Sequence, residues 1–197
     1  MSGLTWEDVS GGVGLRVTVP VTMGPDEAAR ELAPRLSALA GVRATASSGE
    51  AGARPGVPVV TIDGYSGSGK STLSAALTPL LPGWQVLHLD DWYPGWDGLA
   101  EGAHIARRIA ADLRGGRASS YEAWDWEAGI TGATIRVPLA PTIIEGCGAI
   151  EAEADLVIWI ADPGEDERRS RALARDGQTY APHWQRWADQ DLGRSLP

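Results

Sequence analysis

The chain carries one cysteine, Cys147, and no phenylalanine. A lone cysteine excludes an intrachain disulfide framework and a cysteine-built zinc site, and it suits a reducing, cytoplasmic setting. Long apolar runs are also missing. The longest, residues 154–161, contains Asp155 and falls far short of the roughly 20 apolar residues that span a bilayer. The N-terminal stretch has no basic start followed by an apolar core, so no targeting segment is expected. Positive charge is scarce: 17 lysines and arginines stand against 26 acids, for a net charge of −9. Such a surface repels nucleic acid and anionic membrane, so neither is an expected partner, and an anionic ligand must be drawn in by local groups.

What the chain does have is a glycine-rich turn in an informative setting. At 197 residues it is long enough for one α/β domain with a sizeable core and short for two. Gly64-Tyr65-Ser66-Gly67-Ser68-Gly69-Lys70-Ser71 fits the phosphate-loop pattern of Gly, four residues, Gly, Lys, then Ser or Thr. Residues 57–63 are short, apolar and β-branched, as in a strand buried on both faces. After the loop, Leu73, Ala76, Leu77 and Leu80 recur at helical spacing. Glycines at 64, 67 and 69 let the backbone curl so that its amides face a phosphate, and the helix N-terminus adds partial positive charge. The expected nucleotide-binding set is Gly64, Ser66, Gly67, Ser68, Gly69, Lys70, Ser71 and Thr72. Within it, Lys70 reaches the β- and γ-phosphates and the Ser71 hydroxyl ligates magnesium.

Along the chain, residues 1 to about 13 lack periodicity and read as a frayed terminus. Residues 14–21 alternate as a half-buried strand, an edge one because of Pro20. Pro25 opens a helix to about Leu39, with Ala28, Leu32, Leu36 and Leu39 on one face and Pro34 as a candidate kink. Residues 44–58 turn to Ala, Ser, Gly and Pro and read as a linker, so residues 1–52 form an N-terminal strand-helix appendage. Buried strands are expected at 84–89, 142–145 and 156–160 and a short one at 134–137. Helices are expected from Glu101 to Leu113, from Pro163 to Gly177 and from Pro182 to about Leu192. Strands separated by helices imply a parallel sheet with helices on both faces, whose ligands collect at the carboxyl ends of the strands.

That rule brings Asp90, Glu145 and the phosphate loop to one rim. Phosphoryl transfer calls for a phosphate cradle, magnesium held by a hydroxyl and carboxylates, a carboxylate for the attacking hydroxyl, and cations for the moving charge. Arg168, Arg171 and Arg175 are three and four apart, hence on one helical face, where they either close over the phosphates or form a solvated stripe paired with nearby acids. Tyr93, Trp96 and Asp97 either line an acceptor site or pack beneath a loop. The nine tryptophans are concentrated there, with Trp92, Trp96, Trp124 and Trp126 between Asp90 and Glu145. Asp63 is expected to bond loop amides. His88 shares strand parity with Asp90, although a lone strand histidine is usually structural, and Cys147 is given no nucleophilic role.

Taken in order, Asp63 to Thr72, Leu89-Asp90-Asp91-Trp92-Tyr93, Trp124-Asp125-Trp126, Ile144-Glu145-Gly146 and the arginine helix ending Arg175-Asp176-Gly177 resemble the uridine kinase-like family of P-loop kinases, over residues 57 to 191. The resemblance implies a P-loop NTPase fold for residues 53–197, ATP as donor and Mg2+ as cofactor. Asp90 is then the catalytic base close to the metal, Glu145 helps to organise magnesium beside Ser71, and Arg168, Arg171 and Arg175 belong to a mobile lid. Trp124, Asp125 and Trp126 border the acceptor, a small molecule with a hydroxyl and a nucleoside or nucleoside-like alcohol as first candidate. The histidine- and proline-containing segment of true uridine kinases is replaced by Pro94-Gly95-Trp96-Asp97-Gly98-Leu99, which puts pyrimidine specificity in doubt. The family also carries a further strand after the last helix, and the strand at 14–21 is expected to fill that edge of the sheet. The alternative is a nucleotide-dependent switch or regulatory ATPase acting through a protein partner, against which stands the lack of an Asn-Lys-x-Asp guanine-reading motif.

Overall fold

In a computed structural model of the chain, residues 3–8, 15–46 and 55–194 are described. Strands β1 (Thr5–Asp8) and β2 (Leu15–Val19) precede helix α1 (Pro25–Ala46). Strand β3 (Val59–Asp63) runs through the phosphate loop into α2 (Lys70–Leu77), and β4 (Gln85–His88) ends in a 3-10 turn over Leu89–Asp91. Helix α3 (Leu99–Arg114), the hairpin β5 (Ser119–Asp125) and β6 (Ile130–Val137), and then β7 (Thr142–Glu145) and β8 (Leu156–Ile160) follow. Helices α4 (Glu165–Tyr180) and α5 (Trp184–Leu192) complete the described chain.

Six strands form one sheet in the order β1-β2-β8-β3-β7-β4, parallel throughout except for the antiparallel β1–β2 pair. This is the expected mixed α/β architecture, with β3 and its loop at the centre. The strands are apolar because both faces are covered. On β3, Val60 and Ile62 join Leu73 and Leu77 of α2 and Leu32 and Leu36 of α1, whereas Val59 joins Ile109 and Leu113 of α3. Alternate residues of a strand face opposite sides, so a two-residue period separates the two cores. Each fully buried leucine contributes roughly 1.5–3 kcal/mol relative to exposure.

The N-terminal segment is part of this sheet. Strand β2 lies parallel to β8 in the register Leu15↔Leu156 to Val19↔Ile160, and thereby occupies the side of the sheet for which no later strand was found. Val17 and Val19 are buried there, and α1 packs against α2. The segment expected as an appendage thus shares core and sheet with the rest. Two expectations are corrected. Strand β2 is not at the edge, because β1 pairs outside it, and Thr5–Asp8 is a strand where fraying was expected. Its side chains are mostly exposed, so it has no alternation to read. Helix α1 passes Leu39 and continues to Ala46, and most of the expected linker, residues 47–54, lies outside the described residues, as do 1–2 and 9–13 of the expected frayed terminus and residue 14 of the expected strand. Among the described residues no helix is long and apolar enough to cross a membrane.

Candidate active site

The loop between β3 and α2 is fixed by bonds to its own and distant groups. Asp63, fully buried, accepts the Gly64 amide through Oδ1 at 2.6 Å, and its Oδ2 accepts the Gly148 and Ile150 amides at 3.1 and 2.9 Å. Its role is that of a loop anchor. Ser66 is held at three atoms: its amide donates to Asp191 Oδ2 (2.7 Å), its carbonyl accepts from Arg168 (3.3 Å), and its hydroxyl meets the Tyr180 hydroxyl (2.9 Å). Gly67 sits at φ +81° against the Arg168 carbonyl, where a Cβ would collide, so the curl of the loop and its packing both demand glycine.

Several groups are left for a ligand. Helix α2 starts at Lys70 with no side-chain cap and no acid in its first turn, so its first amides are open where Gly69, Lys70, Ser71 and Thr72 line a cavity of about 870 Å³. The buried Ser68 hydroxyl has no hydrogen-bond partner among the described residues. These features suit a phosphate group. Lys70, the only lysine in the chain, donates to the Gly64 and Tyr65 carbonyls at 2.8 and 3.1 Å and to Cys147 Sγ at 3.3 Å. Burial pulls its pKa down, but the Asp191, Asp63 and Glu145 carboxylates outweigh this, so the ammonium stays charged. Cys147 is pushed up to about 12, chiefly by burial, which makes it a neutral thiol.

The expected acids also line this cavity. Glu145 ends β7 beside His88 at the end of β4, in register, and His88 Nδ1 donates to Glu145 Oε1 at 2.6 Å. Burial alone would raise the Glu145 pKa; the bond from His88, Lys70 and the Ser71 hydroxyl together hold it below 4.5. His88 is raised above 6.5, first by that bond. Asp90 is raised above 3.8, first by its desolvation in the cleft and then by repulsion from Glu145, with Lys70 and Arg175 pulling the other way. Among the described residues no three His, Cys, Asp or Glu side chains form a self-sufficient metal cage. Ser71, Asp90 and Glu145 are nonetheless the hard oxygen donors that suit magnesium, which takes one or two carboxylates, keeps waters and shares phosphate oxygens. The His88–Glu145 pair was not foreseen; its signal was that both residues end neighbouring parallel strands.

The arginines of α4 divide. Arg171 and Arg175 line the cavity, Arg171 paired to Glu167 (2.8 Å) and Arg175 bidentate to Asp176 (2.8 and 2.6 Å). Asp176 raises the Arg175 pKa further. Arg168, expected beside them, is 3 % exposed and turned behind the loop, where it bonds Asp162 Oδ1 (2.8 Å) and the Ser66 carbonyl and lies over the Tyr65 ring. It is a clamp on the loop, which corrects its place among the phosphate-facing arginines. Gly177, at φ 58° and ψ −135°, breaks the helix where its end was expected.

The remaining wall is aromatic. Trp96, Trp126, Tyr180 and Trp187 line it, with Trp96 stacked on Tyr180 (5.3 Å, 12°) and His183 (4.4 Å, 11°) and 4.7 Å from Trp126. Trp126 donates through its indole to the Asp90 carbonyl at 2.8 Å. Tyr93 borders the cavity but is 1 % exposed, its hydroxyl bonded to the Cys147 carbonyl at 2.6 Å. Three expected acceptor residues lie elsewhere. Asp97 forms an exposed ion pair with Arg186, Asp125 accepts the Glu127 and Ala128 amides in the β5–β6 turn, and Trp124 sits in the hairpin beside Gly95, outside the cavity lining. Tyr180, Trp187 and Thr179, which sequence reasoning did not assign to the cavity, take their places.

No protein-family profile matches the chain, and no curated protein does. Among solved structures it is similar to a protein from Bacillus stearothermophilus described as a possible uridine kinase, at 21 % identity and TM-score 0.46, covering 82 % of this chain and 92 % of that one. It is also similar to one from Silicibacter sp. TM1040 described as a candidate fructose transport system kinase, at 21 % identity and TM-score 0.46, covering 82 % and 96 %.

Proposed function

We propose that the chain is a phosphotransferase that moves the γ-phosphoryl group of ATP, with Mg2+, to a hydroxyl of a small molecule, a nucleoside-like alcohol being the first candidate. The observation that carries this reading is one cavity bordered at once by an uncapped helix N-terminus, Lys70, Ser71, two carboxylates, two arginines and an aromatic wall. A binding loop alone would not need Asp90.

The loop amides and the α2 N-terminus hold the donor phosphates in place and supply fixed partial charges where negative charge collects. Lys70 leaves the Gly64 and Tyr65 carbonyls to reach the terminal phosphates. Ser71, Asp90 and Glu145 would hold magnesium, which would neutralise charge on the phosphate oxygens. Asp90 accepts the proton of the attacking hydroxyl; its pKa, raised by desolvation and by Glu145, makes it a better base than an ordinary carboxylate. Arg171 and Arg175, from the helix that breaks at Gly177, stabilise the charge on the transferring group. A second groove of about 470 Å³ adjoins the loop, with Pro20, Val21, Met23 and Pro25 on one side and Thr72, Pro163 and Arg171 on the other. It is the seat for the donor base, built largely from the β2–α1 connection.

The test is a screen of nucleosides, sugars and small alcohols with magnesium and ATP, read by product mass, for wild type and Asp90→Asn. The expected outcome is a phosphorylated acceptor whose formation falls by about 10²–10⁴-fold in Asp90→Asn. ATP turnover that never depends on an added acceptor and is unchanged in Asp90→Asn would overturn the reading in favour of a regulatory ATPase.

A further inference from the structure

The end of α5 reaches beneath the phosphate loop. Asp191, 1 % exposed, accepts the Ser66 amide on Oδ2 at 2.7 Å and the Arg194 guanidinium on Oδ1 at 2.5 Å. Arg194, equally enclosed, donates its other nitrogen to Asp63 Oδ2 at 2.8 Å. One guanidinium therefore bridges two buried carboxylates, and each carboxylate holds a different loop amide, Gly64 through Asp63 and Ser66 through Asp191. Asp63 also holds the Gly148 and Ile150 amides of the turn that follows Glu145. Neither acid lines the cavity, so neither can touch a ligand there. Two carboxylates and one guanidinium out of water are costly unless every bond is made, and a greasy contact would fasten α5 as well. What an apolar contact could not do is set the direction of a loop amide.

We infer that Asp191 and Arg194 are positioning residues that fix the phosphate loop from behind in its ligand-binding curl. The clasp spans three elements: Asp63 ends β3, Asp191 belongs to α5, and the turn after β7 hangs from the same oxygen as Arg194. It holds the amides of the loop and the strand end that carries Glu145 in one frame. This inference rests on the reading of the loop as a nucleotide site.

Calorimetric titration with magnesium-ATP, alongside a thermal melt of each variant, tests it. Asp191→Ala is expected to weaken binding by about tenfold or more. Asp191→Asn, which keeps a carbonyl oxygen for the Ser66 amide but sets its amide nitrogen against Arg194, recovers only part of the affinity. Gln190→Ala cuts another tether of the same helix, to the Trp96 carbonyl at 2.7 Å, and leaves binding at the wild-type value. If Asp191→Ala does not fold, Arg194→Lys takes its place with the same expectation, since an ammonium keeps the charge but lacks the fork that joins both acids. Wild-type affinity in the folded Asp191→Ala or Arg194→Lys protein overturns the inference and leaves the proposed function standing, as does equal weakening by Gln190→Ala. Wild-type protein that binds no magnesium-ATP overturns both.

Discussion

The two walls of the cavity are built by different means. On the side of the β3–α2 loop, Ser66 alone is held at its amide, its carbonyl and its hydroxyl by three residues from two helices, and Lys70 has three acceptors within 3.3 Å. On the aromatic side, Trp96, Trp126, Tyr180 and His183 are arranged mainly by ring packing, and Trp126 remains 37 % exposed. Hydrogen bonds are directional and steep with distance, whereas stacked rings slide at little cost. A phosphate is the same in every donor, so its cradle can be rigid. Within the ring wall Tyr180 is tied to the loop through its hydroxyl on Ser66, whereas the faces of Trp96 and Trp126 can shift with less effect on the loop.

The sharpest break of this contrast is Lys70→Ala. As the only lysine, it has no neighbour of its kind to take over. Product formation is expected to fall by about 10²–10³-fold, the scale for loss of one preorganised charge-stabilising group. A fall of less than about threefold would mean that the loop does not act on the donor phosphates.

Next in size is Gly67→Ala. The added methyl meets the Arg168 carbonyl at a φ that favours glycine, so the loop must unwind or Arg168 must release Ser66. A destabilisation of roughly 1–3 kcal/mol, read by thermal or denaturant unfolding, is the expected outcome. The same methyl placed on the acceptor side, for example at Thr179→Val, is expected to leave stability within about 0.5 kcal/mol.

Stability against pH probes the junction of the two sides. The folded pKa of Asp90 lies above its unfolded value of 3.8. Between those two values the folded state holds a proton that the unfolded chain has lost, so this group makes stability fall as pH rises through that window. Asp90→Asn is expected to remove that fall, seen as a wild-type-minus-variant stability difference that declines as pH rises through that window. A difference that does not change with pH there would show that neither desolvation nor Glu145 shifts the Asp90 carboxyl in the folded protein.

How far the residues alone reveal this site follows the same division. The phosphate loop, β3, α2, Asp90 and Glu145 are readable because local spacing and burial on both faces leave strong patterns. Strand β1 is not, and of β6 only the end at 134–137 is, because their side chains are largely exposed and give little alternation. Arg168 shows the limit of helical spacing: three arginines can share a stripe while the first turn packs behind the loop and Asp162 claims its guanidinium. Asp191 and Arg194 reach partners 125 and 131 positions away, a pairing that no local pattern announces. Asp97 looked like an acceptor ligand from its place after Tyr93, but Arg186 of α5 draws it to the surface.

The smallest expected effect is the finest test of the contrast. Trp126→Phe keeps a ring beside Trp96 and deletes only the indole N–H that meets the Asp90 carbonyl at 2.8 Å. That bond is partly exposed, so its loss is expected to cost about 0.5–1.5 kcal/mol of stability at most, because water can replace it. Magnesium-ATP affinity should stay at the wild-type value, since no bond of Trp126 reaches the phosphate loop. Turnover of an acceptor identified by the product screen should change through KM, because the ring face remains while the backbone beneath Asp90 loses one restraint. A matching loss of nucleotide affinity in Trp126→Phe would show that the two walls move together and that the aromatic side is as firmly tied to the loop as Ser66 is.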